Sequence, residues 1–307
     1  TRRRFPGIKR RSCIGGTAMS SQIHDLGYRS YDGERSGVGW AVRSLAVHSV
    51  RRALGLKRGG KHKIVPALTI ILAFLPAIVM VGLSAFLPDF SLDDLFSYGD
   101  YYGFTSFALF LFTAAAAPGV LTTDRTSGML AMYLASPLNR TTYVLAKGIA
   151  IFAVMLLVTV APIVFLVIAY TLVGSGPGGL LDFLELMGRA LLAGAISAAF
   201  YTGLGIFVSS IPKRWGIASV SIIASLIVPT IVANILTEGA DGPDWVMYLS
   251  PADLVGKAWQ HILNDVTFNG LAIDRLSGTL VVLAAVGYAV TFLALTWWRY
   301  QNVEVDR

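Results

Sequence analysis

Six stretches of this chain carry no Asp, Glu, Lys, Arg or His over a length that can cross a bilayer: residues 64–87, 101–123, 148–181, 190–212, 215–237 and 276–298. About 20 apolar residues at 1.5 Å each cover the ~30 Å hydrocarbon layer, so each run is long enough for a spanning helix. The third run overshoots, but Gly-Ser-Gly-Pro-Gly-Gly at 174–179 demands a turn. That span is therefore placed at 143–173, with its first turns in the interface. Composition agrees. The 307 residues are 55% hydrophobic and 14% charged, against roughly 25% charged in a soluble domain. The expected fold is an all-α integral membrane protein with six transmembrane helices, the six-helix domain filling 64–300 and a short tail at 301–307.

The connections between runs set the expected orientation. Residues 88–100 and 174–188 carry acids and no Lys or Arg, and 238–275 carries six acids against Lys257 and Arg275. Residues 124–147 carry Arg125, Arg140 and Lys147, and the link between runs four and five carries Lys213 and Arg214. Basic and acidic connections alternate, which by the positive-inside rule puts both termini in the cytoplasm of a multi-pass plasma-membrane protein. The net charge of +7 hides a strong asymmetry. Residues 1–63 hold 15 Lys/Arg against 3 Asp/Glu. Nucleic-acid binding is one reading of such a tail. Ahead of a membrane span, a cytoplasmic marker leaning on anionic lipid is the stronger one, and no nucleic-acid partner is expected.

Residues 1–35, polar and rich in Gly, Ser and Arg, are expected to be disordered. Met19 is a more ordinary protein start, which marks 1–18 as a candidate misassigned leader. The first apolar run is too long and too late for a secretory signal. Residues 36–58 read as an interfacial helix on the inner leaflet, the region 36–63 ending in a basic hinge. Val38, Val42, Leu45, Ala46, Ala53 and Leu56 share its apolar face, into which Arg52 intrudes, while Val47 lies opposite. Near the other end, residues 251–264 read as a short amphipathic helix on or dipping into the outer leaflet, capped by Ser250 with Pro251 in its first turn.

Several chemistries are excluded. One cysteine, Cys13, permits no intrachain disulfide and no Cys-based metal site. His24, His48, His62 and His261 are scattered, so no metal centre is expected. Gly55 to His62 approaches a phosphate-binding loop, but His62 stands where a Ser or Thr must hold Mg²⁺ and no strand precedes it. No cofactor is expected on this chain. The span centres hold no charge, which disfavours ion-coupled carriage. Polar candidates at depth are Thr159, Tyr201, Thr202, Ser221 and Asn234. Pro66, Pro76, Pro118, Pro162 and Pro229 mark hinges or plain packing, and Ala114 to Ala117, Gly194, Ala198, Gly203 and Gly205 permit close helix approach.

The informative segment is the loop between runs two and three. Asp124 is expected to cap a short helix that Pro137 ends. On it Met129, Met132 and Tyr133 form a stripe flanked by Leu130 and Leu134. Flexible apolar residues on a water-side loop suit docking into a partner's groove, and they suit packing on the chain's own interfacial helix equally well.

The same loop resembles the signature region of the type-2 permeases of ATP-binding-cassette exporters. Asp124, Arg125, Gly128, Pro137, Arg140, Tyr143 and Lys147 match that family's order and spacing over about residues 110–160. Elsewhere the likeness is one of architecture. The resemblance implies that residues 124–136 are a coupling helix seated on a separate ATP-binding subunit. ATP and Mg²⁺ would then lie on that subunit, and this chain would not be an enzyme. It further implies a second permease, identical or homologous, with the path between the two. Uncharged spans suit an amphiphilic cargo taken from the bilayer. A stand-alone carrier or channel, or a scaffold that moves nothing, are the competing readings.

Overall fold

The computed structural model describes residues 37–56, 61–86, 97–134, 138–174, 176–240, 242–264 and 272–302. The expected tail over 1–35, hinge residues 57–60, Pro137 and residues 303–307 lie outside them. Among the described residues the chain is helical, with no strand. The helices are α1 (Val38–Ala53), α2 (Lys61–Phe86), α3 (Asp100–Thr126), α4 (Met129–Leu134), α5 (Arg140–Val173), α6 (Leu180–Ser209), α7 (Trp215–Asn234), α8 (Pro251–Leu263) and α9 (Gly278–Gln301). Six are long and apolar enough to cross a membrane: α2, α3, α5, α6, α7 continued by a π-turn to Gly239, and α9. Each expected span is present, and α3 and α6 run a turn or more beyond the expected bounds.

The helices divide into a core and a wall. α3 and α6 each bury 61% of their apolar window and α5 buries 50%, against 22% for α2 and α7 and 17% for α9. Small residues allow the core to close. A side chain at Gly203 would stand 2.9 Å from the Ala289 carbonyl of α9, and one at Gly194 would stand 2.6 Å from Val160 of α5. The small-residue pattern is thus a packing device. Gly174 ends α5 at φ 91°, the left-handed cap that the turn after this span requires.

The contacts gather all basic connections at one end of the bundle, here the basic end. There Arg125 of α3 and Arg299 of α9 both donate to the Ser210 carbonyl at the end of α6. The opposite, acidic end is tied by Lys257–Asp274 at 2.8 Å and Arg275–Asp244 at 3.1 Å.

Two amphipathic helices differ from expectation. α8 starts at Pro251 after Ser250, as expected, but its apolar face turns into the bundle rather than outward. Leu254, Val255, Ala258 and Trp259 are buried, and the Trp259 indole donates to the Tyr98 carbonyl. A bundle open at this end offers Trp259 more complementary surface than a leaflet does. α1 packs on α5 and α3. Its buried face is Leu45, Ala46, Ser49 and Ala53, while Val38 and Leu56 are exposed.

Candidate functional site

The loop between the second and third spans is built from the end of α3. Thr122, Thr123, Thr126 and Ser127 each donate a hydroxyl to a carbonyl four residues back along α3. The helix runs through Asp124 to Thr126. The expectation that Asp124 caps a short helix is corrected here, because a residue inside α3 has no free helix start to cap. The break falls at Gly128, whose φ of 68° only glycine adopts without cost. The chain then makes α4, and α5 restarts with a reciprocal cap between Asn139 and Thr142.

Asp124 is fully buried and holds two cations. Its Oδ1 lies 2.5 Å from the Arg52 guanidinium of α1, and its Oδ2 lies 2.6 Å from the Lys147 ammonium of α5. Tyr143 donates to the same Oδ2 at 3.1 Å. Arg52 is 7% exposed and Lys147 1%. Removing a charge from water costs several kcal/mol unless partners replace the lost hydration. Here one carboxylate faces two cations, so the buried cluster carries an excess of positive charge. The Arg52 Nε within it has no hydrogen-bond partner among the described residues.

α4 rests on this cluster through Tyr133. The Tyr133 ring lies 6.0 Å from that of Tyr143, and the Lys147 ammonium sits 5.7 Å and 5.5 Å from the two ring centres, within reach of cation–π attraction. Burial, and then the Asp124 charge, hold the Tyr133 phenol above its ordinary value of 10.0. Tyr300 of α9 closes the far side, 5.8 Å from Tyr143.

The candidate site residues thus fall into separate groups. Asp124, Tyr143 and Lys147 are interior, and Tyr133 is half-buried against them. Arg125 anchors on α6, and Arg140 donates to the Gln301 carbonyl of α9. Gly128 is the turn and Met129 is half-buried. Met132 alone of the stripe points outward, 71% exposed. The stripe is split because positions 129 and 133 share the inward face of one turn while 132 faces away. Sequence reasoning missed Arg52, Arg299 and Tyr300. Arg52 had a visible signal, since it interrupted the apolar face of α1.

Of the polar residues expected at depth, Thr159, Tyr201 and Asn234 are absorbed in helix packing, while the buried Thr202 hydroxyl has no hydrogen-bond partner among the described residues. Thr159 donates to the Gly194 carbonyl, the Tyr102 and Tyr201 hydroxyls pair at 2.5 Å, and Asn234 donates to Asp253. Among the described residues no group of three His, Cys, Asp or Glu could hold a metal ion.

These features define a multi-pass helical membrane protein that displays one short helix on a buried ionic base. A family model described as an ABC-2 family transporter protein matches residues 18–305. The chain belongs to that family, whose members are the membrane permeases of transporters rather than catalytic subunits. No curated protein matches the chain.

Proposed function

We propose that this chain is the permease subunit of an ATP-driven exporter in the plasma membrane, and that α4 with its flanks docks on a separate ATP-binding subunit. Its basic end faces the cytoplasm, following the alternation of basic and acidic connections. A second permease, identical or homologous, completes the path at a shared interface. The observation that carries the reading is the posture of α4, with Met132 exposed on one side and Tyr133 seated on the Asp124–Lys147 pair on the other. A flexible apolar side chain on a base that spans three long helices can receive a push from a partner and pass it to the bundle.

The role of the individual residues follows from burial. Met129, Met132 and Gly128 form the docking turn. Asp124, Tyr143 and Lys147 act from within, holding the angle of α4. Arg125 and Arg140 lock α3 and α5 to the ends of α6 and α9, where cations favourably meet the helix C-termini. Energy must come from the partner, since the spans hold no central charge to couple an ion gradient.

The test is site-directed crosslinking. Cys13 is the lone cysteine, so a Cys13→Ser, Met132→Cys protein carries one reactive thiol. Expressed beside candidate ATP-binding subunits in its own cells, it is expected to crosslink to one of them at short spacer length, while a thiol at exposed Phe104 is not. A crosslink at Phe104 but none at position 132 would overturn the docking assignment.

A further inference from the structure

A sizeable space between the described helices lies at the basic end. A half-open cavity of about 560 Å³ is lined by α2, α3 and α7, with Arg52 of α1 at its mouth. It exists because α3 presents small residues, Ala115 and Gly119, between two larger helices. The Trp215 indole nitrogen leans over Gly119, 3.9 Å from where a β-carbon would stand. Lining residues on α3 run from Leu111 to Thr123, about 18 Å along the helix at 1.5 Å per residue. The volume is that of a small-molecule site, and its walls are apolar over most of this length.

The charge at its mouth is one-sided. Arg52 lines the cavity, is more than nine-tenths buried, and has an Nε without a hydrogen-bond partner. Its cluster holds two cations against Asp124. Arg43, Arg51, Lys63, Arg125, Lys213, Arg214 and Arg299 add further cations at this end. Asp124 is the one carboxylate there among the described residues. A buried site with surplus positive charge is stabilised by an anion. An apolar trough that adjoins it, in a wall of membrane spans, takes a hydrocarbon chain.

We infer that this cavity binds an anionic amphiphile of the adjoining leaflet, a single long acyl chain headed by a carboxylate or phosphate. The head lies at Arg52 and the Trp215 indole, and the chain lies along Ala115 toward Leu111. Taken as cargo, this ligand rests on the exporter reading above. Occupancy of the cavity does not, and it is measured on the permease alone without nucleotide.

The probe is 4,5-dibromostearate, whose bromines lie near the carboxylate and quench indole fluorescence on contact, titrated against the full chain in phosphatidylcholine nanodiscs. The Trp215 signal is the difference between wild type and Trp215→Phe. The expected result is saturable quenching of Trp215 by the acid. The methyl ester, identical but uncharged, binds about tenfold more weakly, the scale of one charge-assisted hydrogen bond. Arg52→Gln brings the acid down toward the ester. Ala115→Leu fills the trough without touching the ion cluster and abolishes saturable quenching by the acid. Equal, unsaturable quenching by acid and ester is bulk partition and would overturn the inference. So would quenching that survives Ala115→Leu. Displacement by inorganic phosphate, with no effect of Ala115→Leu, would assign the mouth to a free anion instead. A failure here leaves crosslinking at position 132 standing, and a failure there leaves occupancy standing.

Discussion

Replacing Asp124 by Asn tests the buried cluster directly. The change keeps volume and one acceptor but removes the one negative charge that faces Arg52 and Lys147 among the described residues. Both cations are almost fully buried, so neither can recover its hydration in place. Breaking a buried pair by removing one partner costs about 3–5 kcal/mol, and here a single substitution strands two cations. Tyr143 also trades a charged acceptor for a neutral one. The expected loss is at the upper end of that range. It is measured by denaturant titration of the detergent-solubilised protein, following helicity. The informative control is Asp124→Asn with Lys147→Met, which removes one stranded charge. This double variant is expected to recover roughly 1–3 kcal/mol relative to additivity, as contacting residues do. A loss below about 1 kcal/mol for Asp124→Asn, the size of an exposed pair, would refute the reasoning, as would strict additivity in the cycle. Charge reversal at Asp124 is for the same reason no probe of docking, because it disrupts the permease itself.

Other outcomes follow from the same geometry. Met132→Glu places a charge on an exposed site and is expected to lower recovery of the ATP-binding subunit at least tenfold while leaving the denaturant midpoint unchanged. Gly128→Ala forces a β-carbon into a φ of 68°, so a loss of about 1–2 kcal/mol and weaker docking are expected, both measurable on one preparation. Gly203→Leu drives a side chain against the Ala289 carbonyl, and overpacking of this kind costs about 1–3 kcal/mol, read as a lowered unfolding midpoint. Because the Tyr133 phenol is held above 10.0 in the folded chain, its contribution is complete below pH 10 and is lost as pH rises beyond it. Tyr133→Phe should flatten that alkaline decline.

The fold was legible because its main signal is long and simple. Uncharged runs identified every span, and alternating basic and acidic links predicted which helix ends share a side. What was not legible depends on which surface an amphipathic helix meets. The stripe on α8 reads the same whether Trp259 faces lipid or the bundle, and the answer lies in Tyr98, Tyr101 and Tyr102, some 160 residues away in sequence. At the site, the loop motif located the right residues but not their direction. Asp124 looks like a helix cap because a short helix follows it, while the run of α3 onward to Thr126 is visible only in the structure. Arg52 interrupted the apolar face of α1, and its partner is Asp124, a residue first placed beyond the end of the second span.

The central claim is that this permease works with an ATP-binding subunit. Mild-detergent purification of the tagged chain from its own cells, with partners identified by mass and ATP hydrolysis assayed on the complex, tests it most directly. The account predicts a stoichiometric nucleotide-binding subunit and hydrolysis that is lost together with it when Met132 is replaced by Glu. Recovery of the chain alone, or only with copies of itself and without ATP hydrolysis, would contradict it.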